Sequence, residues 1–137
     1  HNNGSKTKLI TDGDVAGALL VTNDEFKVDL FLGIGGGPEG VLAASALDAY
    51  DCFFQGKFLF EDENDKQRAK SMGINDFEKK YSLNEIVSGD SIFCATGITS
   101  GDLVSGIKSN DKCFISETLV THKNSNFKQK VKKEFNI

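Results

Sequence analysis

The sequence predicts a layered α/β/α domain built on a largely parallel sheet. Three observations lead there: short apolar strand-like runs alternate with helix-like runs, one run is too apolar to face solvent on either side, and Gly-rich turns close the strand-like runs. The chain has 137 residues, which suits one domain over 1–137, and a domain of this size buries about 68–70% of its extended surface.

Lys8-Leu9-Ile10 reads as a first strand ending at Thr11-Asp12-Gly13-Asp14, followed by a short apolar helix from Val15 to Leu20. Asn23-Asp24 turns the chain. Val28 to Leu32 reads as a second strand, covered on both sides. Five glycines then fall within residues 33 to 40, Pro38 sits like a first-turn proline, and a buried helix continues to about Tyr50. Phe53 to Phe60 has strand content around Gln55-Gly56, or ends a helix before a short strand. Glu61 to Met72 is a polar surface helix closed by Gly73. Ser82-Leu83-Asn84-Glu85 has capping-box spacing for one helical turn. Ser91 to Thr96 is a further strand, and Cys113 to Thr121 alternates like an antiparallel or edge strand. In the tail, Phe127, Val131 and Phe135 fit one helix face and one strand face equally well.

Composition removes several functions. The 16 Lys+Arg against 20 Asp+Glu give a net charge of −4 and a pI near 5.1, so no basic stripe suits nucleic acid. No apolar run is long enough to span a membrane, and the first residues carry no apolar signal region. Cys52, Cys94 and Cys113 are odd in number and widely spaced, which fits reduced thiols and a cytoplasmic setting better than a disulfide framework or zinc site. Lys128, Lys130, Lys132 and Lys133 form the one basic cluster, either a solvated face or an anion site. His122, the only internal histidine, lies beside Lys123 at a strand end, and no Ser/His/Asp or Cys/His arrangement can be assembled from sequence.

In parallel sheets, sites gather at strand C-terminal ends. Three such ends carry Gly with acidic or hydroxyl residues: Asp12-Gly13-Asp14, Gly33 to Gly40, and Thr96 to Asp102. The second contains G-x-G-x-x-G at Gly35, Gly37 and Gly40. Dinucleotide binding is disfavoured, because Pro38 removes a donor and Glu39 places a negative charge where a pyrophosphate would sit. A divalent cation between Glu39 and a phosphate removes that conflict; a purely helix-dipole role for Glu39 stands beside it. Asp14 reads as an N-cap or as an acceptor for sugar hydroxyls or metal-bound water. Thr96 to Asp102 reads as a strand-to-helix turn capped by Thr99 or Ser100, or as part of an anion pocket.

Taken in order, Asp12-Gly13-Asp14-Val15-Ala16, Gly33-Ile34-Gly35-Gly36-Gly37-Pro38-Glu39-Gly40-Val41, Ala95-Thr96-Gly97-Ile98-Thr99 with Gly101-Asp102-Leu103, and Glu117-Thr118-Leu119 resemble class II fructose-1,6-bisphosphatases of the GlpX type. The resemblance runs from about Gly4 to the C-terminus. It implies the C-terminal domain of the fold shared by lithium-sensitive sugar phosphatases. The implied activity is a Mg²⁺- or Mn²⁺-dependent phosphatase of gluconeogenesis that removes the 1-phosphate of fructose 1,6-bisphosphate, with sedoheptulose 1,7-bisphosphate a substrate of some members.

By motif, the resemblance makes Glu39 a metal ligand and Asp12, Gly13, Asp14 and Gly36 substrate contacts. Gly37 stands where Ala is common, and Ser100 where Lys is common. Family chains are much longer, and their N-terminal part carries the other metal carboxylates and phosphate-binding cations. The chain therefore reads as a C-terminal half that is inactive alone, assembling as a homo-oligomer. A non-catalytic phosphate- or nucleotide-binding module and a structural unit are the competing readings.

Overall fold

The computed structural model describes residues 4–11 and 13–137, so Asp12 and the first three residues lie outside the described part. The described residues form four α-helices: α1 (Asp14–Leu19), α2 (Gly37–Asp48), α3 (Glu63–Ser71) and α4 (Leu83–Ile86). Six strands accompany them: β1 (Gln55–Lys57), β2 (Lys80–Ser82), β3 (Ile92–Thr96), β4 (Lys108–Ser109), β5 (Cys113–His122) and β6 (Phe127–Asn136). The chain is thus mixed α and β, but the expected parallel sheet is replaced by two antiparallel ones, β1 with β2, and β5 paired with β3, β4 and β6.

The reason lies in connection length. Cys113 to Asn136 folds back on itself through the four residues 123–126, so every residue of β5 finds a partner in β6 without a crossover. Asn126 takes a left-handed conformation at φ 49° to close that turn, which Asn tolerates better than most residues. The tail is consequently a strand, with Phe127, Val131 and Phe135 on one face.

Neither of the two expected strands at 8–10 and 28–32 pairs into a ladder among the described residues. A strand apolar on both sides needs cover on both. Here only one side is covered: Ile10 and Phe31 press on α1 at Gly17, where a Cβ would stand 2.5 Å from Ile10 Cδ1 and 2.8 Å from Phe31 Cε2. Leu9, Leu30 and Leu32 remain 88%, 71% and 83% exposed.

The core lies between helices and sheet. α1 packs on α2, and α2 on β3 and β5. Ala18, Leu19, Ala43, Ala46 and Leu47 meet Leu83, Phe93 and Leu119 in one buried cluster. Burying a leucine such as Leu19 contributes about 1.5–3 kcal/mol. Inward-facing positions of β5 alternate as Cys113, Ile115, Glu117, Leu119 and Thr121, and Thr121 Oγ1 donates to the Ala46 carbonyl at 3.5 Å. The buried Asp48 carboxylate at the end of α2 receives Lys123 Nζ at 2.9 Å, fixing the β5–β6 turn against the helix layer. The polar helix expected at 61–72 is α3, starting two residues later because the Asp62 side chain caps it by accepting from Asp65 N–H at 2.9 Å, and Gly73 follows it at φ 89°. Among the described residues no helix is long and apolar enough to cross a membrane.

Candidate functional site

Two of the three glycine-bearing turns meet. Gly13 has φ 82°, a left-handed conformation open to glycine at little cost, and this bend makes it the N-cap of α1. Asp14 is therefore the first helical residue and not the cap expected of it; the capping position is taken by a residue with no side chain. Gly36 caps α2, with its carbonyl accepting Gly40 N–H at 3.1 Å, and Pro38 and Glu39 fall in the first turn.

The carboxylates of Asp14 and Glu39 converge on adjacent glycines. A Cβ at Gly35 would stand 2.6 Å from Asp14 Oδ2, and a Cβ at Gly36 would collide with Glu39 Oε2. Consecutive Cα atoms are about 3.8 Å apart, so the two carboxylates line one short stretch of bare backbone. Asp14 is half-buried and Glu39 exposed. Hard oxygen donors beside unpaired helix N–H groups suit a divalent cation together with a phosphate: the carboxylates attract the cation, and the N-terminal end of α2 attracts the anion. Among the described residues no three His, Cys, Asp or Glu side chains cluster as a metal site. Asp12 lies outside the described residues.

The third turn behaves differently. Residues 97–106 form a self-wound loop and no helix follows it. Gly101 N–H reaches the Val104 carbonyl, Gly106 N–H reaches Ser100 Oγ at 2.9 Å, and Ile107 N–H reaches the Ile98 carbonyl. A side chain at Gly97 would strike the Ser105 carbonyl, and one at Gly106 would stand 2.6 Å from Ser100 N. Ser100 is thus spent on the loop itself, and Thr96 Oγ1 lies 2.8 Å from Thr118 Oγ1 on the open sheet face. The loop's link to the first turn is ionic: Asp102 lies 3.3 Å from Lys8 Nζ.

Sequence reasoning assigned no role to Glu117, which holds this loop in place. Its carboxylate is buried and accepts Ser105 N–H at 2.9 Å, while its own carbonyl accepts Gly97 N–H. The Ser105 N–H, opposed by burial and aided by Lys132 at 3.4 Å, holds the carboxyl below the usual range. The signal was strand parity, since Glu117 shares a face with Ile115 and Leu119. A second correction concerns His122. Its Nε2 lies 2.8 Å from Asp90 Oδ1 and its Nδ1 2.7 Å from Ser125 Oγ, so a Ser/His/Asp chain does assemble, pinning the β5–β6 turn to the start of β3.

The family model for bacterial fructose-1,6-bisphosphatase, glpX-encoded, matches residues 1–135. A D-fructose 1,6-bisphosphatase class 2/sedoheptulose 1,7-bisphosphatase of Trichormus variabilis is 37% identical, the alignment covering 77% of this chain and 34% of the relative. A protein of the same name from Synechococcus sp. (strain JA-3-3Ab) is 35% identical, over 85% of this chain and 38% of its own. A fructose-1,6-bisphosphatase class 2 of Haemophilus influenzae is 37% identical, over 88% and 40% respectively. The chain spans between a third and two-fifths of these relatives.

Proposed function

Because the chain belongs to the glpX-encoded bacterial fructose-1,6-bisphosphatase family, we propose that it supplies the C-terminal half of a cytoplasmic, metal-dependent phosphatase. The reaction is hydrolysis of the 1-phosphate of fructose 1,6-bisphosphate to fructose 6-phosphate, the gluconeogenic step, with sedoheptulose 1,7-bisphosphate as a second candidate substrate. In it water adds to phosphorus, the phosphorus to ester oxygen bond breaks, and the C1 oxygen leaves with a proton. The observation that carries this reading is the convergence of Asp14 and Glu39 on the Gly35-Gly36 backbone at the start of α2.

The residues present fit a hard cation, since the space that side chains at 35 and 36 would fill is given to carboxylate oxygens. Bound Mg²⁺ or Mn²⁺ supplies charge neutralisation at the phosphoryl oxygens and a water of lowered pKa. Glu39 would hold the ion. Asp12 and Asp14 would accept hydrogen bonds from sugar hydroxyls, and Gly13 and Gly36 would let the substrate approach the backbone. The first-turn N–H groups of α2 would orient the phosphate, at Gly37 and Glu39 but not at Pro38.

The test joins this chain to the remaining segment of a full-length family member and compares wild type with Glu39→Gln, following phosphate release against Mn²⁺ concentration. Glutamine keeps the shape and removes the charge, so metal affinity and turnover should fall together, with partial rescue by excess Mn²⁺. A normal saturation curve and turnover in Glu39→Gln would leave Glu39 a helix-dipole acid. Sugar-phosphate binding with no metal-dependent release would favour a non-catalytic binding module.

A further inference from the structure

The basic cluster of the tail is exposed but divides between the two faces of the strand. Pairing with β5 places Lys128, Lys130 and Lys132 opposite Thr121, Leu119 and Glu117, on the face whose β5 residues pack against the helices. Two are occupied: Lys132 pairs with Glu117, and Lys128 Nζ stands over the Tyr50 ring at 5.5 Å. Lys130 has no carboxylate within ion-pair distance among the described residues. It lines a cavity of about 380 Å³ whose walls include Tyr50, just past the C-terminal end of α2, whereas Glu39 stands in the first turn of that helix, about 14 Å of helix rise from its end.

The other walls define what the cavity takes. Phe26 and Leu119 are apolar. Thr22 is fixed, since its Oγ1 donates to the Leu19 carbonyl at 2.8 Å, and Tyr50 lines the same cavity. Asn23 accepts Glu25 N–H through Oδ1 at 2.9 Å and donates through Nδ2 to Glu25 Oε2 at 3.4 Å, which leaves one amide hydrogen as a donor, and Asp24 adds one carboxylate that can only accept. A cation, an amide donor, a carboxylate acceptor and apolar side chains in one lining match a ligand with a phosphate, hydroxyls that donate, and a C–H face. The volume lies in the range of small-molecule sites.

We propose that this cavity is a second binding site, for a small phosphorylated sugar or polyol. Lys130 and Asn23 hold the phosphate, Asp24 accepts a sugar hydroxyl, and Phe26 and Leu119 receive the apolar face. The site is separate from the Asp14 and Glu39 pair and does not depend on the proposed hydrolysis.

The experiment titrates the chain with glucose 6-phosphate, and separately with inorganic phosphate, without divalent metal, reading amide NMR shifts. Shifts should gather at residues 20–26, Tyr50 and Leu119. Lys130→Met should weaken both probes about tenfold, as loss of a charge-assisted hydrogen bond does. Lys133→Met, on the opposite face of β6, should leave both within about twofold. Asp24→Asn should weaken glucose 6-phosphate and spare inorganic phosphate. Unchanged affinity in Lys130→Met, or shifts gathered at Gly35 to Glu39, would overturn the site. Unchanged glucose 6-phosphate binding in Asp24→Asn would overturn the sugar assignment.

Discussion

Asp14 Oδ2 fills the space in which a side chain on Gly35 would begin, 2.6 Å from that position. Gly35→Ala must therefore push the carboxylate aside while leaving every charge in place. Displacements of about 1 Å near a reacting group cost on the order of 10²-fold in rate. In a full-length enzyme, kcat/KM for fructose 1,6-bisphosphate is expected to fall by about that factor with the melting temperature nearly unchanged. Full activity in Gly35→Ala would show that Asp14 has no positional role.

Glu117 and Ser105 make a second such pair, across 12 residues. Glu117→Gln keeps one acceptor but loses the charge that strengthens it, and Glu117→Ala loses the acceptor altogether. Hydrogen exchange at Ser105 and Gly106 should accelerate in that order, while amides in α3 stay as protected as before. Equal protection in all three proteins would mean that Gly97 and Gly106 alone wind the loop.

How far this arrangement could be read from sequence depends on range. Local signals were legible: Pro38 opens α2, a polar helix lies within 61–72, Ser82 to Glu85 starts α4, and the 113–121 alternation is β5. The turns carrying Asp14 and Glu39 were legible as sites that could share an edge, because each joins glycine to an acid in adjacent sequence positions. Sheet direction was not, since an apolar run such as 28–32 states that it wants cover without stating what covers it. Glu117 and the Asp90, His122, Ser125 chain are set by register between distant segments, which no local pattern encodes.

Glu85 gives a pH dependence. The Ser82 N–H at 2.9 Å, Lys79 at 2.9 Å and the Ser82 hydroxyl lower its carboxyl from an ordinary 4.5 to about 2. A carboxyl depressed on folding contributes stability that is fully present above pH 4.5 and is lost as pH falls towards 2. Glutamine at this position retains capping-box bonding without titrating. Glu85→Gln should thus flatten the fall of melting temperature between pH 4.5 and 2, and an unchanged slope would place the acid sensitivity elsewhere.

The chain by itself is expected to be inactive. A Mg²⁺ site demands near-octahedral oxygen coordination, and Glu39 is the one metal ligand proposed in this chain. Purified chain with millimolar Mn²⁺ and fructose 1,6-bisphosphate should release no phosphate above blank. Metal-dependent turnover by these 137 residues would refute this.

The exposure of Leu9, Leu30 and Leu32 leads to the last expectation. Among the described residues these leucines are open to water on segments that join no ladder, and exposed apolar side chains on unpaired segments favour association. Sedimentation across a concentration series should show a homo-oligomer, and Leu30→Ser with Leu32→Ser should shift it towards monomer. The same pair should change the monomer's stability by less than about 0.5 kcal/mol, as exposed positions do. Leu19→Ala supplies the contrast: Leu19 is fully buried, so its truncation should cost about 2–5 kcal/mol while leaving association unaltered. A monomer at all concentrations would deny these leucines a role in association, and destabilisation by the two serines comparable to Leu19→Ala would mean that Leu30 and Leu32 belong to the core.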